Sequence, residues 1–141
     1  SSRLFRGIGL SDDNSIMVAE EDYKELFQPA DEWLGERFGG TVFHSCGNWE
    51  QKISMVKQMK GIFITNGAFT IPSPNNPDAF GEQFADSGII LNARAVGADA
   101  ESTFERLYRK GLKLIAVTYC ETAEEQEALY RKLHEMEQRL K

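Results

Sequence analysis

The chain predicts an α/β fold of consecutive parallel β/α units, and three observations carry that prediction. Short β-branched and aliphatic runs alternate with helical patterns along all 141 residues. The runs are continuously apolar instead of alternating, as in strands with both faces buried. Each is bounded by Gly, Asn, Asp or a capping signal. Strands and helices in strict alternation imply right-handed crossovers and a parallel sheet. The length suits one domain spanning residues 1–141, with no linker visible.

Leu4 to Leu10 reads as the first strand, ending at Ser11-Asp12-Asp13-Asn14. A helix follows from about Glu20 to Phe38, with Tyr23, Leu26, Phe27, Ala30, Trp33 and Leu34 at helical spacing. Pro29 should kink or divide it, and Gly39-Gly40 close it. Thr41 to Ser45 is the second strand. Asn48 caps a helix from Trp49 to Met59, with Ile53, Val56 and Met59 on one face. Gly61 to Asn66 is the third strand, followed by an irregular loop, Ile71 to Pro77, holding three of the four prolines. A short helix over Asp78–Asp86 leads to the fourth strand, Gly88 to Asn92. Asp99 caps a helix that stops at Lys110-Gly111, and Leu112 to Tyr119 is the fifth strand. Thr122 and Glu125 form a capping box for the last helix, whose face is Ala128, Leu129, Leu133, Met136 and Leu140.

Composition narrows the function classes. Hydrophobic residues make up 41% and charged residues 27%, with a net charge of −6 and no Lys/Arg run. Nucleic acid and anionic membranes are therefore disfavoured partners. No apolar stretch reaches the roughly 18 residues of a membrane span, and Ser1-Ser2-Arg3 does not open a signal peptide. A cytoplasmic setting follows, in which the only two Cys are thiols or ligands before they are a disulfide. No G-x-G-x-x-G or G-x-x-x-x-G-K-[ST] is present, which disfavours dinucleotide and nucleoside-triphosphate chemistry.

The informative run is Thr41-Val42-Phe43-His44-Ser45-Cys46-Gly47-Asn48, matched by Leu114 to Cys120. In both, ligand-type residues stand at the carboxyl end of an apolar strand, the face where parallel α/β folds bind ligands. His44, Cys46 and Cys120 offer one nitrogen and two sulfur donors, a set suited to tetrahedral Zn²⁺ with the fourth position open. For His44 and Cys46 taken alone, hydrogen-bonded packing in a core is an equal reading. In an open sheet the second and fifth strands lie about 14 Å apart at roughly 4.8 Å per strand, so convergence of all three demands barrel curvature. Asp12 and Asp13 read as acids facing a substrate or as parts of a turn. Asn48, Asn66 and Asn92 read as substrate-binding or as turn and cap residues. Trp49 and Phe69 read as cavity lining or core. His134, among charged residues of the last helix, reads as a surface residue.

Val42 to Asn48, preceded by Ser11-Asp12-Asp13 and the helix over Glu20 to Ala30, resembles the carboxyl-terminal half of the uroporphyrinogen decarboxylase superfamily of (β/α)₈ barrels. The H-x-C pair with a distant Cys resembles its zinc-dependent corrinoid methyltransferase branch, the methylcobalamin:coenzyme M type. The resemblance implies the C-terminal half of a TIM barrel, a half-barrel fragment of a longer protein whose N-terminal half lies upstream of Ser1. It implies Zn held by His44, Cys46 and Cys120, a thiol or a pterin as methyl acceptor, and a corrinoid donor carried by a partner protein. A decarboxylase-type lyase is the alternative enzyme and needs no metal. A half-barrel without activity, self-associating as a homodimer through exposed strand edges, is the alternative outside enzymes. This chain alone is expected to be inactive.

Overall fold

The computed structural model describes residues 7–70, 74–94 and 99–141. Five strands, β1 (Ile8–Ser11), β2 (Thr41–His44), β3 (Ile62–Ala68), β4 (Ile90–Arg94) and β5 (Lys113–Val117), form one all-parallel sheet in the order β1-β2-β3-β4-β5. Between them run α1 (Glu20–Leu26), α2 (Gln28–Phe38), α3 (Ile53–Gln58), α4 (Pro77–Phe84) and α5 (Asp99–Leu107), with α6 (Ala123–Leu140) following β5. The predicted alternation is the observed one. The residues Leu4 to Arg6 of the expected first strand lie outside the described residues, and β1 extends one residue further, to Ser11.

Pro29 divides the long helix as expected. It sits in the first turn of α2, where its missing N–H costs nothing, and Phe27 ends α1 by donating to the Tyr23 carbonyl. Gly39 then takes a left-handed conformation, φ +83°, and closes α2. The helix expected after Asn48 is a 3-10 turn over Glu50–Lys52 followed by α3. The Thr122–Glu125 capping box is present in full at the start of α6.

Strand parity shows which face the helices cover. Phe43, Thr65, Leu91 and Ala93 are buried, and Gly35 of α2 packs directly on Thr41 of the same face. Here the core gathers around Trp49, whose ring meets Phe43, Phe80 and Phe84 edge-on at centroid distances of 6.0, 4.7 and 6.2 Å. Gly81 lets α4 approach α5, because a Cβ there would stand 2.1 Å from the Leu107 carbonyl oxygen. The alternate residues, Val42, His44, Ile64, Asn66, Ile90, Asn92 and Arg94, line the opposite face and stay half-exposed. Strands read as doubly buried are thus covered on one side only within the described residues.

The last helix departs from its predicted face. Met136 is buried and Leu129 and Leu133 are half-buried, but Ala128 and Leu140 are exposed. A cleft of about 650 Å³ separates α6 from α5 and β5, lined by Phe104, Tyr108, Leu114, Tyr130 and Leu133 among others. No helix among the described residues is long and apolar enough to cross a membrane.

Candidate metal centre

The carboxyl ends of β1 and β2 bring three ligand-type side chains together. The β1–β2 ladder continues past the strands, with Asp12 N–H donating to the His44 carbonyl at 2.8 Å. Ser15 locks the following 3-10 turn, donating to the Asp12 carbonyl at 2.7 Å and lying 3.2 Å from the Ser45 hydroxyl. That turn delivers Asp13 to the end of β2, where its Oδ1 accepts the Cys46 N–H at 2.8 Å. His44 Nε2 stands 3.3 Å from Cys46 Sγ and 3.5 Å from Asp13 Oδ1. One ligand atom from each of the three lies within 4.8 Å of the other two. Two tetrahedral ligands at Zn–N and Zn–S lengths of about 2.1 and 2.3 Å are themselves about 3.6 Å apart. The spacing of nitrogen, sulfur and oxygen therefore suits one small cation, and the three residues fit a zinc-like ion by chemistry as well as distance.

Electrostatics within the cluster are asymmetric. The Cys46 N–H holds the Asp13 carboxyl below its ordinary range, so Asp13 is an anion at neutral pH. The hydrogen bond to Asp13, then burial and the Asp13 charge, push the Cys46 thiol up, opposed by the Arg94 guanidinium. A cation at the site would reverse this balance and take the sulfur as thiolate.

The other predicted residues separate into groups. Cys120 is half-buried beyond β5, three strands from β2, and does not belong to the cluster. The open sheet holds the fifth strand away, the separation that barrel curvature would have to remove. Asp12 serves the turn through its backbone, and its side chain faces the Tyr23 hydroxyl. Asn48 is a turn residue and not the expected helix cap, since the 3-10 turn is preceded by Trp49: it accepts the Glu50 N–H at 3.1 Å and donates to the Pro74 carbonyl at 2.9 Å. Trp49 and Phe69 are core. Asn66 touches His44 Nδ1 at 2.5 Å, and Asn92 lies opposite it in register on β4. His134 is exposed, its ring over that of Tyr130.

Two residues beside the site had no distinguishing sequence signal. Asn75, 2% exposed in the proline-containing loop, accepts the Trp49 N–H at 2.9 Å and donates to the Gly47 and Ala68 carbonyls at 3.1 and 2.9 Å. It ties the turn carrying Cys46 to the end of β3. Its composition cue, Asn among prolines, is the same as for any surface turn. Arg94 ends β4 on the open face, with its Nε buried and unpartnered among the described residues.

Comparison with family models, with curated proteins and with solved structures yields no match to this chain.

Proposed function

We propose that this chain supplies the metal-bearing part of a (β/α)₈ barrel, and that the metal activates a thiol for methyl transfer from a corrinoid. The observation that carries the reading is the approach of His44 Nε2, Cys46 Sγ and Asp13 Oδ1 to one another at the carboxyl ends of parallel strands. Strand order in sequence with helices on one face supports a barrel over a doubly wound sheet, whose strand order reverses at a switch point. The half-exposed inner face and the edges of β1 and β5, unpaired among the described residues, suit closure by further β/α units, from a longer chain or a second copy. Closure of that kind would carry Cys120 toward His44 and Cys46, as the sequence resemblance requires.

Bound zinc would lower the pKa of an acceptor thiol so that thiolate persists at neutral pH. His44 gives a neutral nitrogen and Cys46 a thiolate, while Asp13, already ionised, offsets the charge. A corrinoid, when bound, would supply the methyl group to the acceptor sulfur and would keep both electrons of the broken bond.

The test is metal binding by the whole chain, followed by thiol methylation from methylcobalamin. One Zn²⁺ per chain, lost on His44→Ala and on Cys46→Ala with the fold retained, is expected. A chain that takes up no Zn²⁺ overturns the reading. The second reading, a self-associating sheet without activity, is favoured by the two open edges; it predicts a dimer with freely titratable thiols and no metal.

A further inference from the structure

We infer that Asn66, backed by Asn92, fixes the tautomer of His44, with the proton on Nδ1 and the Nε2 lone pair facing Cys46 and Asp13. The inference rests on reading those residues as a metal site and adds the groups that aim its nitrogen ligand.

His44, Asn66 and Asn92 form a row across β2, β3 and β4 on the open face of the sheet. Asn66 is in register with Asn92, one strand spacing of about 4.8 Å away. The Asn66 amide meets His44 Nδ1 at 2.5 Å. Nitrogen and oxygen of a side-chain amide occupy nearly the same positions, so the hydrogen-bond network decides which faces the ring. With nitrogen toward the ring, Nδ1 is the acceptor and Nε2 carries the proton. Asn66 Oδ1 and Asn92 Oδ1 are then both buried without a donor among the described residues. Each such orphan costs about 1–3 kcal/mol.

The opposite orientation gives the Asn66 oxygen a donor. The His44 Nδ1–H donates to Asn66 Oδ1. The Asn66 NH₂ takes the orphan's place, on the face where Asn92 stands in register one strand away. A 2.5 Å approach also suits an amide oxygen better than an NH₂ group. On the far side of the ring nothing demands a proton on Nε2. Asp13 Oδ1 is 3.5 Å away, beyond ordinary hydrogen-bond length, and the Asp13 carboxylate is already engaged by the Cys46 N–H and the Cys46 thiol. Asn66 is thus a positioning residue, and Asn92 supports it. Removing such an outer partner of a histidine ligand typically weakens metal binding 10–100-fold.

The experiment is a long-range ¹H–¹⁵N correlation of the histidine rings in the metal-free full chain at pH 8, paired with Zn²⁺ titration of each variant. Wild type is expected to show His44 protonated at Nδ1, with exposed His134 as the internal reference. Asn66→Ala should move the proton to Nε2 and weaken Zn²⁺ binding about 10–100-fold. Asn66→Asp, an acceptor that cannot donate, should restore the Nδ1–H form and most of the affinity. A wild-type His44 protonated at Nε2 overturns the inference, as does an Nδ1 proton that survives in folded Asn66→Ala, or an Nε2 proton in Asn66→Asp. Wild type with the Nδ1 proton but no Zn²⁺ uptake supports the tautomer assignment and overturns the metal reading alone.

Discussion

His44 Nε2 stands 3.3 Å from Cys46 Sγ although β2 ends at His44 and Cys46 lies beyond the ladder. Strand parity alone puts residues i and i+2 on one side, but only while the strand stays regular. Here the Cys46 N–H is held by Asp13, and Gly47 turns the chain at φ +76° immediately afterwards. The turn keeps the sulfur over the imidazole after the sheet has stopped doing so.

Gly47→Ala therefore tests the turn. Space is available, since the nearest atom to an added Cβ is Ile16 Cδ1 at 3.5 Å, so any cost comes from backbone strain. A left-handed non-glycine residue costs about 1–2 kcal/mol. We expect a loss of that size in urea unfolding, with Zn²⁺ binding weakened several-fold. Unchanged stability would show that Gly47 does not need its positive φ.

Asn75→Ala should be more damaging than its loop position suggests. It removes three hydrogen bonds at a buried point and takes their partner from the Trp49 N–H and the Gly47 carbonyl, while the Ala68 carbonyl keeps the backbone N–H of residue 75. An expected loss of about 2–4 kcal/mol follows from orphaned buried groups. Near-ultraviolet circular dichroism should report it, because Trp49 sits at the centre of the aromatic cluster. A change below about 0.5 kcal/mol, the range of ordinary surface substitutions, would contradict the assignment.

Gly81→Ala should separate α4 from α5. The added carbon would overlap the Leu107 carbonyl oxygen, a backbone atom that cannot rotate away. Overpacking of this kind costs about 1–3 kcal/mol or more. Thermal unfolding measures it, and a variant as stable as wild type would mean the two helices slide apart freely.

Asp31 gives a pH-dependent prediction. Burial raises its pKa, as does the Asp12 charge, while the Tyr23 hydroxyl donating at 2.6 Å lowers it. A carboxyl with a raised folded-state pKa binds its proton more readily folded than unfolded, so its effect on stability worsens as pH rises through that window. Above the window Asp31 costs stability, and below pH 3.8 the cost disappears. Asp31→Asn keeps an acceptor for Tyr23 and should stabilise the chain at pH 7. Water screens the half-exposed site, so the gain is at most about 1 kcal/mol, shrinking toward zero on acidification. Urea midpoints measured at pH 7 and at pH 4 check both sign and trend; a destabilised Asp31→Asn at pH 7 would refute it.

The sequence by itself determined the order and type of the elements, because those depend on local features. Pro29 cannot donate inside a helix, Gly39 accepts a positive φ, and Thr122 with Glu125 satisfies its own helix end. It also marked His44 and Cys46, whose residue types and strand-end placement are local facts. What the tertiary structure decided were the contacts between segments distant in sequence. Asp13 rather than Cys120 meets His44 and Cys46, since β1 is the neighbour of β2 while β5 is three strands away. The prediction of strands buried on both faces failed for a related reason: a continuous apolar run does not say what covers each side, and here one face is left half-exposed. Asn75 and Asn66 have the composition of turn and strand-end residues. Their roles come from burial beside partners more than 20 residues away, Trp49 and His44, which no local pattern encodes.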